Sequence, residues 1–74
     1  MTTNESRYEI ILYWSDDDNT FVAEVPELPG CTAHGDTQES ALKNINDAIQ
    51  LWIDTARELG KSIPAPRGRR LMLA

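Results

Sequence analysis

The chain passes from strands to a helix within residues 25–37, which read Val-Pro-Glu-Leu-Pro-Gly-Cys-Thr-Ala-His-Gly-Asp-Thr. Pro26 has no N–H to give to a ladder and therefore predicts the end of a strand. Pro29-Gly30 is a turn dipeptide, because proline presets φ and glycine accepts a positive φ. Residues 31–34 then predict a short returning strand. Asp36 or Thr37 would supply the N-cap oxygen of a helix, so the stretch is interpreted as a corner between sheet and helix.

Two apolar segments precede this corner. Residues 8–14 predict a first strand in which the even-numbered side chains share one face. Ile11 and Tyr13 are apolar on the opposite face, so both faces require at least partial cover, as in a central strand or a subunit contact. Residues 15–20 are polar and predict a hairpin loop. Residues 21–25 predict the returning strand, with Val22 and Glu24 pointing outward.

A long amphipathic helix is predicted from about Gln38 to Leu59, with Gly60 as its C′ residue. Its apolar residues recur at spacings of one, three and four and form one stripe: Ala41, Leu42, Ile45, Ala48, Ile49, Trp52, Ile53, Ala56 and Leu59. This stripe needs the inner face of the strands as its partner. The sequence therefore predicts an α+β fold, a three- to four-stranded antiparallel sheet with one long helix packed on one face.

The 74 residues predict a single domain. We expect a frayed segment at 1–6, the sheet and helix within 7–59, and a connector with a candidate last strand within 60–74, which gives the order β-β-β-α-β. A chain of this size buries only about 60% of its unfolded surface, so oligomerisation is an expected source of stability. We expect a homo-oligomer, most simply a dimer, with contacts drawn from Ile11, Tyr13, Leu71, Met72 and Leu73.

The formal net charge of −5 is unevenly distributed. Eleven acidic and two basic residues precede Arg57, whereas five basic residues and Glu58 alone follow from there. An acidic body repels nucleic-acid phosphate and attracts basic partners. One cysteine fits a reducing cytoplasm, and no apolar run approaches the roughly 20 residues of a membrane helix. We therefore expect a cytoplasmic protein with no membrane contact, for which a nucleic-acid partner is disfavoured.

Several residues suggest chemistry that their spacing does not support. Asp16-x-Asp18-x-Thr20 resembles the start of a calcium loop, but its sixth position is Phe21 instead of glycine. Cys31 and His34 are two zinc-type ligands where a structural site needs four, and three residues apart on a strand they point to opposite faces. The sequence therefore predicts no catalytic residue, no metal site and no cofactor.

The segments considered so far combine into a pattern that resembles the HicB-like antitoxin family from about Tyr8 to Pro66. The residues that carry the resemblance are Phe21-Val-Ala-Glu-Val-Pro-Glu-Leu-Pro-Gly-Cys31, Gly35-Asp-Thr37, Glu39-x-Ala41, Ala48-Ile-x-x-Trp52 and Ile63-Pro-x-Pro66. The resemblance implies a fold like a truncated ribonuclease-H sheet with one helix, without that fold's catalytic carboxylates. It also implies a protein partner, a small basic ribonuclease toxin of the HicA type.

The resemblance also suggests how such a partner would be recognised. We expect an acidic face to meet the toxin's basic RNA-binding surface, and its candidate residues are Asp16, Asp17, Asp18, Glu24 and Glu27. Many family members add a C-terminal DNA-binding domain, for which the eight residues after Pro66 leave no room, so operator binding is not expected.

Two alternatives remain at this point. The first is a free-standing oligomeric domain that serves another function without a toxin. The second is a weak nucleic-acid binder that uses the basic segment Arg67-Gly68-Arg69-Arg70.

Overall fold

The structure, a computed structural model, describes residues 7–66. It contains three strands and one helix, in the order β1 (Ile11–Ser15), β2 (Thr20–Glu24), β3 (Thr32–Gly35) and α1 (Gln38–Glu58). The sheet has the order β1-β2-β3, and both strand pairs are antiparallel. The helix packs on one face of the sheet, which confirms the α+β fold. The predicted last strand at 71–73 and the predicted frayed segment at 1–6 lie outside the described residues.

The β1–β2 hairpin has a continuous register from Ile11 opposite Glu24 to Ser15 opposite Thr20. Its loop is the four-residue segment 16–19, which confirms the predicted hairpin. The loop closes where the backbone N–H of Asn19 donates to Ser15 O at 2.8 Å. Asn19 has φ +58°, in the left-handed region that asparagine tolerates better than most residues other than glycine.

The predicted corner is present, and three backbone hydrogen bonds hold it. Val25 N donates to Cys31 O at 3.1 Å, Leu28 N donates to Val25 O at 3.1 Å, and Cys31 N donates to Leu28 O at 3.0 Å. Gly30 takes φ +80°, as the turn dipeptide requires. These bonds point the Leu28 side chain inward, where it is completely buried.

Both ends of α1 are capped. Thr37 Oγ1 accepts from Ser40 N at 3.0 Å, and Ser40 Oγ accepts from Thr37 N at 3.0 Å, a reciprocal capping box. At the other end Gly60 has φ +71°, its N–H donates to Arg57 O, and Lys61 N donates to Ala56 O. This is a Schellman motif, so the predicted glycine stop is confirmed.

The helix is longer than the sheet beneath it. Its 21 residues extend about 31 Å, whereas a five-residue strand extends about 17 Å. Ile45, Ile49 and Ile53 therefore meet the core, while Leu59 at the far end stays exposed. The prediction that Leu42 and Leu59 would be buried with the stripe was wrong, because the sheet is too small to cover both margins of the stripe.

The connector after the helix returns to the start of the sheet. Ile63 packs against the core, and the buried Tyr8 donates its hydroxyl hydrogen to the Pro64 carbonyl. Within residues 7–66, no helix is long and apolar enough to cross a membrane.

Candidate protein-binding surface

Three aspartates form an acidic tip, Asp16–Asp18, in the hairpin loop between β1 and β2. All three are exposed. Asp16 Oδ1 accepts from the indole Nε1 of Trp14 at 2.8 Å, and Asp18 Oδ2 accepts from Ser15 Oγ at 3.4 Å. These neighbours orient two of the carboxylates and leave their charges in solvent, available to a basic partner.

The face of the sheet opposite the helix, here called the outer face, is only partly polar. It carries the side chains of Ile11, Tyr13, Val22, Glu24 and His34. Tyr13 donates its hydroxyl hydrogen to Glu24 Oε2 at 2.8 Å. This bond raises the pKa of the Tyr13 phenol, and desolvation and the negative charges of Glu24 and Asp18 act in the same direction.

Val22 points outward as predicted, yet it is buried. It lies in the middle strand, between Tyr13 and His34 in the register. The outer face thus has a buried side chain at its centre and exposed apolar side chains along β1.

Glu24 and Glu27, the other two predicted acidic residues, lie at the opposite end of the hairpin from the acidic tip. Glu24 is four residues along β2 from Thr20, which corresponds to about 13 Å. Glu27 Oε1 accepts from the backbone N–H of Glu9 at 2.9 Å, which places it beside the start of β1. The five predicted carboxylates therefore form two groups, one at each end.

Exposed apolar side chains lie between these two acidic groups. Ile11 exposes 41% of its surface and Tyr13 42%, both on the outer face, whereas Trp14, 46% exposed, lies on the face that carries the helix. Trp14 also packs edge-on against Phe21, with ring centroids 5.0 Å apart. An apolar centre with charged ends is the usual layout of a protein–protein interface.

A concave surface, which sequence reasoning missed, lies between α1 and the corner. This groove has a volume of about 660 Å³ and is lined by the 29–32 segment on one side and by Leu51, Thr55 and Leu59 on the other. Leu51 exposes 67% of its surface and Leu59 64%. The available signal was Leu51 itself, an apolar residue outside the predicted stripe.

Cys31 lies beneath this groove with 4% of its surface exposed, and burial raises the pKa of its thiol. His34 is exposed on the outer face. Among residues 7–66, no three His, Cys, Asp or Glu side chains are close enough together to hold a metal ion.

Comparison with known proteins places this architecture in a family. Residues 8–70 match the profile of the family described as HicB_like antitoxin of bacterial toxin-antitoxin system. A UPF0150 protein of Thermoplasma acidophilum, Ta0767, is 38% identical over 58 residues, which cover 78% of this chain and 83% of that protein. The Synechocystis UPF0150 protein ssl0259 is 36% identical over 58 residues, 78% of each chain.

A third relative, a UPF0150 protein of Helicobacter pylori, is 46% identical over 37 residues, 50% of this chain and 51% of that protein. The profile match covers most of the described fold, from the buried Tyr8 through the corner and α1 to the connector. The chain belongs to the HicB-like antitoxin family, which confirms the resemblance seen in the sequence.

Proposed function

We propose that this protein is a non-enzymatic antitoxin that binds and neutralises a small basic ribonuclease toxin of the HicA type. Family membership supports a toxin partner in general. The observation that carries the specific proposal is the outer face of the hairpin, where Ile11 and Tyr13 lie exposed between the acidic tip and the Glu24–Glu27 end.

The two parts of this surface have different roles in the proposal. The acidic tip is exposed and attracts a basic partner over a distance, so it governs the rate and orientation of encounter. The apolar centre excludes water on contact and governs the dissociation rate. Both proteins would act in the cytoplasm, which fits the free thiol of Cys31.

The proposal takes the toxin to be a small basic protein encoded beside this chain, and the test is the rate at which that protein associates with the full chain. The variant Asp16→Asn, Asp17→Asn, Asp18→Asn removes three charges from the tip. We expect its association rate constant at low salt to fall on the order of tenfold, with a weaker dependence on salt.

A matched control removes the same three charges elsewhere. Asp47→Asn, Asp54→Asn, Glu58→Gln changes exposed carboxylates of α1, away from the hairpin loop. If this control slows association as much as the tip variant, the tip has no special role. If the wild-type chain forms no complex and leaves the toxin's RNA cleavage unchanged, the antitoxin proposal itself is wrong.

A homo-oligomer, most simply a dimer, is part of the same proposal. It is supported by the exposed apolar residues of β1 and by the small core available to a short chain.

A further inference from the structure

The middle strand of the sheet determines which backbone groups point toward β1. The N–H of Val25 donates to Cys31 O at 3.1 Å, so these two residues continue the β2–β3 register as a hydrogen-bonded pair. Bonded and non-bonded pairs alternate along an antiparallel ladder. Val22, three residues before Val25, therefore turns its backbone away from β3 and toward β1.

This alternation continues into β1. Tyr13 lies opposite Val22 and directs its N–H and C=O toward β2. Leu12 and Trp14, one residue to either side, then direct theirs to the outer edge of the sheet. Within residues 7–66, no backbone group bonds to these outward-facing groups.

The helix-side face of this edge is apolar and only partly covered. α1 packs most closely against β3 and least against β1. Leu12 is half-buried against the core, whereas Trp14 beside it remains exposed. The strand contains no charged residue and no proline, and its register with β2 has no bulge. An edge strand of this kind readily adds a further strand.

The described chain ends beside this edge. Tyr8 donates its hydroxyl hydrogen to the Pro64 carbonyl, and Pro66 is the last described residue. Tyr8 lies three residues before Ile11, so this end of the chain is at the start of β1, at the opposite end of the sheet from the acidic tip. A strand that continues along the edge from there runs toward the tip, parallel to β1. α1 and its connector supply the crossover that a parallel strand requires.

The remaining segment, residues 67–74, is long enough for this path. Its eight residues span about 26 Å when extended, whereas the five residues of β1 span about 17 Å. The difference of about 9 Å allows the chain to cross from the helix layer into the plane of the sheet.

The order of residues along this segment matches the order along the edge. Its sequence, Arg-Gly-Arg-Arg-Leu-Met-Leu-Ala, has the basic residues first and the apolar residues second. A parallel strand would first pass the acidic Glu24–Glu27 end of the hairpin and then reach Leu12 and Trp14. Opposite charges and apolar side chains would therefore each meet their complement.

We propose that residues 70–74 pair with the outer edge of β1 in the same chain as a parallel strand, with Leu71 beside Leu12 and Leu73 beside Trp14. The three-stranded sheet becomes a four-stranded sheet. The two leucines cover the helix-side face of β1.

Side-chain alternation selects this register. Directly neighbouring residues of paired strands point to the same face, and successive residues of one strand point to opposite faces. With Leu71 and Leu73 on the helix side, Arg70 and Met72 lie on the outer face. The opposite assignment would bring the Arg70 guanidinium against the core, where burial of an unpaired charge is costly.

The pairing gives the basic segment a role within the chain. Arg70 comes beside Ile11, on the same face as Glu9 and Glu24, and its charge offsets theirs. The segment is then an internal counter-charge for the acidic end of the hairpin instead of a nucleic-acid site. No toxin enters this argument, so the inference does not rest on the proposed function.

The first test is amide hydrogen exchange of the full chain, measured by NMR. The N–H groups of Leu12 and Trp14 would donate to the new strand, so we expect them to exchange at least about tenfold more slowly than that of Asp17 in the exposed loop, after correction for intrinsic rates. Met72→Pro removes an N–H that points toward β1, and we expect both amides to lose this protection. Its control, Met72→Val, keeps the N–H and should keep the protection.

Fast exchange of Leu12 and Trp14 in the wild type would refute the pairing, as would protection that persists in folded Met72→Pro. Protection within one chain is independent of concentration, so we expect the same rates at about 50 μM and about 500 μM. Protection that grows with concentration would assign the edge to a second copy and overturn the proposal.

The second test fixes the register and does not depend on a proline. In a Cys31→Ala background, Trp14→Cys and Leu73→Cys would lie side by side on one face with Cα atoms about 4.8 Å apart, within disulfide range. The control combines Trp14→Cys with Met72→Cys, whose side chain would point to the opposite face.

Under mild oxidation we expect the Leu73→Cys pair to form a disulfide within one chain at least about tenfold faster than the Met72→Cys pair. Equal rates would refute the register. Disulfides formed chiefly between two chains would refute pairing within the chain.

Neither measurement contains a toxin, so failure of the pairing is separate from failure of the proposed function. Protected β1 amides in a chain that forms no toxin complex would sustain the pairing and overturn the antitoxin role. Unprotected amides in a chain that suppresses RNA cleavage would do the reverse.

Discussion

Gly35 is the residue at which the sheet and the helix approach most closely. A Cβ atom built at this position would lie 2.3 Å from Ala41 N and 2.3 Å from Ser40 Oγ. Ala41 N belongs to the first turn of α1 and donates to Thr37 O, so it cannot move aside without disturbing the helix start. The absence of a side chain at residue 35 is therefore what lets α1 begin directly against β3.

Gly35→Ala should destabilise the protein by about 2 kcal/mol or more, because a backbone atom is in the way of the new methyl group. Urea denaturation followed by circular dichroism measures this loss. Gly30→Ala is the control, since Gly30 has φ +80° but open space around it, and only the backbone penalty of about 1–2 kcal/mol applies. A smaller loss at Gly35 than at Gly30 would contradict the close approach.

Cys31 should react slowly with a thiol reagent in the folded protein and quickly in urea. Its side chain is buried and its pKa is raised, so the reactive thiolate is scarce at neutral pH. The fold favours the neutral thiol, and this stabilisation is complete below the unfolded-state pKa and is lost as pH rises through the folded-state value.

The labelling rate measured against pH checks this prediction. We expect the rate in the folded protein to rise at higher pH than the rate in urea. Equal rates in the folded and unfolded states at pH 7 would show that the groove side of Cys31 is open to solvent.

At the scale of the element, the stability of α1 depends on its two capped ends as well as on its apolar stripe. The capping box satisfies backbone groups that the first turn leaves without partners. The Schellman motif at Gly60 does the same at the other end and turns the chain back toward Tyr8. The buried isoleucines then hold the helix along the sheet.

Thr37→Ala should lower the free energy of unfolding by about 1 kcal/mol, because the Oγ1 acceptor for Ser40 N is lost. Thr55→Ala is a control with the same change of side chain on an exposed position within α1. There we expect no loss or a slight gain, since alanine has the higher helix propensity. The two variants should thus differ in sign in urea denaturation, and equal losses would argue against the cap.

At the scale of the whole molecule, a small core supports a long helix. The fully buried large side chains of the core are Leu28, Ile45 and Ile49. Domains of this size have only a few kcal/mol of net stability. A single cavity among these residues is therefore a large fraction of the total.

Ile49→Ala should reduce the free energy of unfolding by about 2–5 kcal/mol, enough to leave much of the protein unfolded without a partner. Leu51→Ala, two residues away on the same helix, removes an exposed side chain and should change stability by less than about 0.5 kcal/mol. Thermal unfolding of both variants measures the contrast. Similar melting temperatures would mean that α1 does not bury Ile49 in the core while leaving Leu51 exposed.

The predicted surface was only partly accessible to sequence reasoning. The residues of the acidic tip follow from composition, and Ile11 and Tyr13 follow from strand alternation. Alternation does not show that Glu24 and Glu27 lie at the far end from the tip, because that depends on hairpin register.

The sequence by itself determined the elements, the corner and the glycine stop of α1, because these follow from local chemistry: proline at Pro26, glycine at Gly60 and the period of the helical stripe. It left the N-cap open between Asp36 and Thr37, and the structure has Thr37. Only the tertiary structure decided what those elements leave exposed. The helix is nearly twice as long as the strands, so Leu51 and Leu59 border a groove instead of joining the core. Burial depends on the relative sizes and positions of packed elements, which no local pattern encodes.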